Sequence, residues 1–416
     1  MRPESPPDTM AESDLAPTRV RRPRRAAPAD AVRPTRAEVN LGALRHNLHA
    51  LRRVLAAAAS ARATQPPEVW GVLKADAYGH GAPAVARTLE RAGIDGVCVA
   101  LLEEAIELRD AGVALPTLVL GGLPSRLDGI EELLEHDATP VLHDAGQVER
   151  LGGVLREQGR ALDVHLKIDT GMGRLGVRPR ELASVVRALA RFPEVRPRAV
   201  MTHLACADDP DPRVTTEQLA SFAEATAWLA QNGVAPPIAH VANSAAALSA
   251  PSTHFHAVRP GLALFGVSPL PRGASTIDLR PAIRVRTELL AVRDIEVGEA
   301  IGYGHTFRAA RPTRIATFPM GYADGLPRLL SNRGHVLVRG TRAPIVGNVS
   351  MDLTMIDVTD VPGARLGDEV VVLGAQEGPL GRDAIEADEI ATHANTIAWE
   401  VLTSISRRVP RFYREP

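Results

Sequence analysis

The chain has 416 residues, with 48 Lys plus Arg against 49 Asp plus Glu and a net charge of −1. That balance, with only 3% aromatic residues, excludes the basic field and stacking surface of a nucleic-acid binder and the cationic face of a membrane-surface protein. Two cysteines, Cys98 and Cys206, make no disulfide framework, and no run nears the length of a membrane span, so a cytoplasmic protein is expected.

In chain order, residues 1–35 are rich in Pro, Arg and Ala and lack apolar periodicity, which predicts a disordered tail. From 36 to 280, eight β-rich runs follow: VWGVLK, GVCVA, TLVLGG, ATPVL, DVHLKID, RAVMTHL, IAHVANS and AVRPGLALFG. Amphipathic stretches such as APAVARTLERAG, LEEAIELRDAG and RELASVVRALARF separate most of them, with apolar residues three and four apart. Eight such units predict a (β/α)8 TIM-type barrel, with a doubly wound sheet as the alternative. In the barrel reading, Lys74, Lys167, His203, Asn243, Ser244, Arg259 and Gly261 fall at or near the C-terminal ends of strands, where barrels build active sites. Residues 281–416 lose the helical period and alternate β-rich runs with Gly, Pro and Asp turns, which predicts a mostly β C-terminal domain. Within it, EADEIATHANTIAWEVLTSI is expected to form one helix running into a terminal strand, RVPRFY.

Arginine outnumbers lysine 46 to 2, so a lysine is expected to persist where arginine cannot act. An amine can lose its proton and attack a carbonyl, whereas a guanidinium cannot. Lys74 stands in GVLKADAYGHG and Lys167 in HLKIDTGMGRLG. For Lys74 the competing reading is a surface lysine, which the scarcity of lysine disfavours. GMGRLG has the spacing of a dinucleotide loop, but it follows the fifth strand and the next helix starts late. A loop presenting Arg174 to a carboxylate fits better. His203 alone would be an ordinary core histidine, and no zinc-type cluster appears, so no metal is expected. Asn243, Ser244 and Gly261 suit a phosphate at the last barrel strands, although turn residues would look similar.

Together these segments resemble the alanine racemase family over about residues 36–414. The markers are KADAYGHG (74–81), HLKIDTGMGRLG (165–176), MTHLA (201–205), ANS (242–244), RPGLALFG (259–266), IGYGHTF (301–307), GYADG (321–325) and NVSMD (348–352). The resemblance implies pyridoxal 5'-phosphate on Lys74 and interconversion of L- and D-alanine, supplying D-alanine for peptidoglycan. Lys74 and Tyr303 would be the two acid/base groups, one on each face of the substrate α-carbon. Tyr78, Asn243, Ser244, Gly261, Leu262 and Trp399 would hold the cofactor, with Arg259 at its ring nitrogen and His203 linking Arg259 to the tyrosine. Arg174, Met351 and Tyr322 would meet the substrate, and Lys167 matches a lysine that is often carbamylated. The family also implies a homodimer in which Tyr303 and Met351 complete the partner's site. Trp399 stands where tyrosine is usual, which leaves serine or other small amino acids open as substrates. Arg259, where fold-related decarboxylases carry an acid, weighs against decarboxylation. Asn348 stands where arginine is common, and Asp76 where asparagine is.

Overall fold

In the computed structural model, residues 31–271 and 277–415 are described, so most of the expected tail, 1–30, lies outside the described residues. The tail reading fails for residues 33–35. Arg33 grips Asp324 with two nitrogens, at 2.7 and 2.9 Å. Thr35 is fully buried, its hydroxyl donating to the Pro319 carbonyl at 2.6 Å.

Eight parallel strands close into a barrel: β2 (Glu68–Val72), β3 (Gly96–Val99), β4 (Thr117–Val119), β5 (Ala138–Leu142), β6 (Leu162–Lys167), β7 (Val195–Met201), β8 (Ile238–His240) and β9 (Ala257–Val258). Closure comes from β9 pairing back on β2, with Glu68 opposite Ala257 and Val69 opposite Val258. The short apolar runs are what parallel strands buried on both faces require; Val97, Cys98 and Val99 are fully buried. The helices between them bury one stripe each. In Leu182–Arg191, for example, Leu182, Val185, Ala188 and Leu189 face inward.

One strand precedes the barrel and does not belong to it. β1 (Arg36–Asn40) pairs antiparallel with β10 (Ile283–Glu288) and parallel with β20 (Arg411–Arg414). The barrel reading began at 36, but these residues are sewn into the C-terminal sheet. Glu38 is the stitch: 4% exposed, it accepts from Arg286 at 2.7 Å, Arg414 at 2.8 Å and Arg36 at 3.1 Å.

The remaining strands are β11 (Ala291–Ile295), β12 (Ala300–Ile301), β13 (Phe307–Arg308), β14 (Thr313–Phe318), β15 (His335–Val338), β16 (Thr341–Pro344), β17 (Thr354–Asp357), β18 (Glu369–Gly378) and β19 (Gly381–Ile385). The larger sheet runs β16-β15-β18-β10-β1-β20, with β19 on β18, and a second runs β11-β14-β17. The expected single helix near the C-terminus is two, Ala387–His393 and Ala398–Ser404. Asn395 breaks it by entering the left-handed region at φ 52°, and the Thr396 N–H turns back to the Ala391 carbonyl at 2.9 Å. The second of these helices packs on the segment carrying Lys74.

Candidate active site

Lys74 follows β2 and opens a turn whose handedness nothing in the sequence signals. Ala75, Asp76 and Ala77 all have φ and ψ between about 48° and 58°, and Tyr78 has φ 52°. This is a single turn of left-handed helix built without glycine, at a cost of about 1–2 kcal/mol per residue. Such strain persists only where surrounding bonds over-determine it. The Ala77 N–H reaches the Leu73 carbonyl at 2.7 Å, and that of Gly79 reaches Ala75 at 3.0 Å. Asp76 accepts from the Ala82 N–H at 2.8 Å, and Arg411 donates to the Gly79 carbonyl at 2.9 Å. The Ala75 N–H is taken by Glu104 at 2.7 Å.

Around the Lys74 amine gathers a cluster contributed by several strand ends. Burial and the Arg174 guanidinium hold the amine below its ordinary range, while Glu104 pulls the other way. Lys167, 6% exposed at the end of β6, is held down to about 8 by burial, Arg174 and Arg259. His203, just past β7, is lowered to about 3 by burial and by the charges of Arg259, Lys167, Arg174 and Lys74. It is therefore a neutral imidazole at pH 7. Arg174 rides on a loop that Asp169 folds by accepting from the Gly171 and Gly173 N–H groups, at 3.2 and 3.0 Å. Gln218, 2% exposed, ties that loop to the next: its amide donates to Thr170 at 3.2 Å and to the His203 carbonyl at 3.0 Å.

A second group lies at β8 and β9. The Gly261 N–H donates to the Ser244 hydroxyl at 2.8 Å, and a Cβ on Gly261 would stand 2.4 Å from the Tyr78 hydroxyl. Two hydroxyls and a backbone N–H thus converge where only glycine leaves room. Asn243 caps the short helix Ser244–Ser249 by accepting from the Ala246 N–H at 3.1 Å. Leu262 opens the following 3-10 turn, Leu262–Phe265.

Arg259 is 4% exposed and held down to about 10 by burial. Its Nη2 donates to the Thr202 carbonyl at 2.8 Å, and its Nη1 to Nδ1 of His240 at 2.6 Å. The His240 Nε2–H then points to Nδ1 of His165 at 2.9 Å. His240 is thus hydrogen-bonded to Arg259, and His203, the link the resemblance implies, lies under the Arg259 charge. Accepting from a permanent cation keeps Nδ1 of His240 unprotonated, and burial with Arg259 drives its basicity well below the ordinary value. His165, His240, Glu104 and Gln218 were not anticipated. A lone strand histidine or a helical Glu looks structural until its partners are known.

The C-terminal residues form a separate exposed set. Tyr303 is 77% exposed on a 3-10 turn between Gly302 (φ 69°) and Gly304 (φ 72°), and Asn348 donates to its carbonyl at 2.7 Å. Asn348, given no role by sequence, thus fastens the Tyr303 turn. Tyr322 (43% exposed) and Met351 (52%) lie on adjoining backbones, with the Tyr322 N–H on the Ser350 carbonyl at 3.0 Å. Trp399 lies on the helix Ala398–Ser404 that packs against the Lys74 turn.

A depressed amine just past the first barrel strand, a hydroxyl-lined cradle at the last strands and a buried arginine make up a candidate enzyme site at one end of the barrel. The models of "Alanine racemase, N-terminal domain" and "Alanine racemase, C-terminal domain" match residues 39–269 and 282–413. The alanine racemase of Sorangium cellulosum (strain So ce56) is 62% identical over 387 residues, covering 92% of this chain and all of that one. The crystal structure of the Bacillus anthracis alanine racemase with bound L-Ala-P superposes with a TM-score of 0.84 at 35% identity, covering 92% of this chain and 96% of that one. That of Bartonella henselae, with covalently bound pyridoxal phosphate, gives 0.80 at 30%, covering 92% and 99%. The chain belongs to the alanine racemase family, whose members depend on pyridoxal phosphate.

Proposed function

We propose that this chain interconverts L- and D-alanine by a two-base mechanism in which Lys74 and Tyr303 serve opposite faces of the substrate. The observation that carries the reading is the convergence of Lys74, Arg174, Lys167 and His203 beside the Tyr78–Ser244–Gly261 cradle. The hydroxyls of Tyr78 and Ser244, the backbone at Gly261 and Leu262, and the Trp399 indole N–H would hold the phosphate, with Asn243 fixing the helix that bears Ser244. When bound, pyridoxal phosphate supplies the electron sink that stabilises negative charge at the substrate α-carbon. Arg259 would meet the pyridine nitrogen; a guanidinium donates a hydrogen bond there without surrendering a proton. Arg174 suits the substrate carboxylate, since a planar fork binds two oxygens at once.

Racemisation then needs a proton removed from one face and another delivered to the opposite face. Lys74, whose amine burial and Arg174 hold below its ordinary range, is fitted to one role. Tyr303 is assigned the other, in the site of a second copy. One observation supports a homodimer with shared sites: Tyr303 and Met351 stand exposed on the C-terminal domain. Tyr322 and Met351 would border the substrate. With free Cys98 and Cys206, and no described helix long and apolar enough to cross a membrane, the cytoplasm is the compartment we assign.

The test is incubation with L-alanine in deuterated water. D-alanine carrying solvent deuterium at Cα is expected, with far less label in recovered L-alanine. Loss of carbon dioxide, or D-alanine that kept its original proton, would refute the two-base racemase.

Lys167 is assigned a carbamate, formed when its neutral amine adds to carbon dioxide and releases a proton; the anion would steer Arg174. With its basicity near 8, the neutral fraction rises from about one-tenth at pH 7 to about nine-tenths at pH 9. Protein supplied with 13C-bicarbonate should show a carbamate resonance that grows through pH 8 and is missing in Lys167→Arg. A resonance that survives that substitution would exclude Lys167 as its source.

A further inference from the structure

We propose that Glu104 is a positioning residue for the Lys74 amine, holding the backbone immediately after Lys74 and facing the amine with a carboxylate. It rests on the assignment of Lys74 as the cofactor lysine and adds a residue to which the reading above gives no part.

The geometry is a stitch between neighbouring strand ends. β2 and β3 are paired, Val72 opposite Cys98, and the Leu73 N–H still reaches the Cys98 carbonyl at 2.8 Å. Beyond that point the two chains part: one enters the left-handed turn, the other the helix Leu102–Asp110. Glu104, in the first turn of that helix, spans the gap. One carboxylate oxygen accepts from the Ala75 N–H at 2.7 Å, the other from Ala100 at 2.7 Å and Leu101 at 3.1 Å. The Ala100 and Leu101 bonds are the ordinary work of a Glu near a helix start. The Ala75 bond is not, because it leaves the helix and holds the residue after Lys74.

That bond matters because the opening N–H groups of a helical turn, of either hand, have no partner within the turn. Without Glu104, the orphan N–H would lie on the peptide that directly follows Lys74, in a turn already strained at four consecutive positions. The charge matters too. Among the groups acting on Lys74, Arg174 favours the neutral amine and Glu104 alone favours the charged one. Lys167 and His203 face it from β6 and β7, and the helices Ala82–Arg91 and Ala398–Ser404, also packed on the turn, add no charge to that set. Glu104 therefore opposes the depression that burial and Arg174 impose on the amine, as well as holding the backbone beside it.

Two full-length variants test this. Glu104→Gln keeps the shape, but its NH2 must oppose either the Ala75 N–H or the Ala100–Leu101 pair. Glu104→Asp keeps the charge and the helix start but is a methylene too short to bridge. In the holoenzyme, kcat of Glu104→Gln should fall about tenfold or more with KM within about twofold. Because the chain has two lysines, amine acetylation with peptide mass spectrometry, on full-length protein stripped of cofactor, reads both separately. The labelling midpoint of Lys74 should move down by roughly half a pH unit or more in Glu104→Gln. That of Lys167, which Glu104 does not influence, should stay. Glu104→Asp should lower kcat with a smaller shift. A Lys74 midpoint unmoved in Glu104→Gln, or full kcat in Glu104→Asp should Glu104→Gln fail to fold, would reduce Glu104 to a helix cap. A wild-type protein in which borohydride fixes no cofactor on Lys74 would instead overturn the lysine assignment itself.

Discussion

Mixing Lys74→Ala protein with Tyr303→Phe protein is expected to restore activity that neither has alone. On the proposed two-base reading each substitution removes one of the two groups that move protons, and each should lower kcat on the order of a thousandfold or more. If the site joins Lys74 of one copy to Tyr303 of another, a mixed dimer has one site with both groups and one with neither. Random exchange of equal amounts makes about half the dimers mixed, so recovery should approach about one-quarter of wild-type activity. The 77% exposure of Tyr303 motivates this, since a phenol acting within its own chain would be buried against the barrel. Activity in the mixture no higher than in the separate proteins, with exchange verified by mass, would rule out shared sites. The same mixture made with Tyr322→Phe in place of Tyr303→Phe should gain little from complementation, because Tyr322 is assigned contact and no proton transfer.

How much of this was readable in the sequence follows from the range of the interactions. All eight barrel strands fall on the runs chosen by composition and period, because a strand buried on both faces announces itself locally. Lys74, Lys167 and His203 stood out because scarcity and strand-end position are properties of the chain alone. Three features escaped. β1 reads as the start of a barrel, since its partners β10 and β20 lie some 250 and 370 residues onward. The left-handed turn at Ala75–Tyr78 has no glycine to betray it and exists because Glu104, Asp76 and Arg411 hold it. The Arg259–His240–His165 chain joins Arg259, just past β9, to two strand histidines that are each unremarked in isolation, and only closure of the barrel brings them together.

Gly79→Ala should be among the most damaging single-methyl changes in the molecule, and the reason joins the two domains. Gly79 ends the left-handed turn at φ 79°, where an added Cβ costs about 1 kcal/mol on conformational grounds. That Cβ would also lie 2.3 Å from the Leu402 carbonyl oxygen, a backbone atom of the helix that carries Trp399. Neither side can yield by rotating a side chain, so the helix must move off the turn. Arg411, which donates to the Gly79 carbonyl at 2.9 Å and also to the Ile405, Ser406 and Val409 carbonyls, would lose its hold on the turn. Together these should cost about 3–4 kcal/mol of stability, as seen when strain and a broken buried contact coincide. Gly112→Ala is the control: at φ 78° it bears the same conformational cost, with nothing within 4 Å of the new methyl. Thermal melting should therefore separate the two by about 2–3 kcal/mol, and the phosphate of the cofactor should bind more weakly only in Gly79→Ala. Equal losses in both would mean that the clash is absorbed locally, and that the turn bearing Lys74 does not depend on the C-terminal domain for its shape.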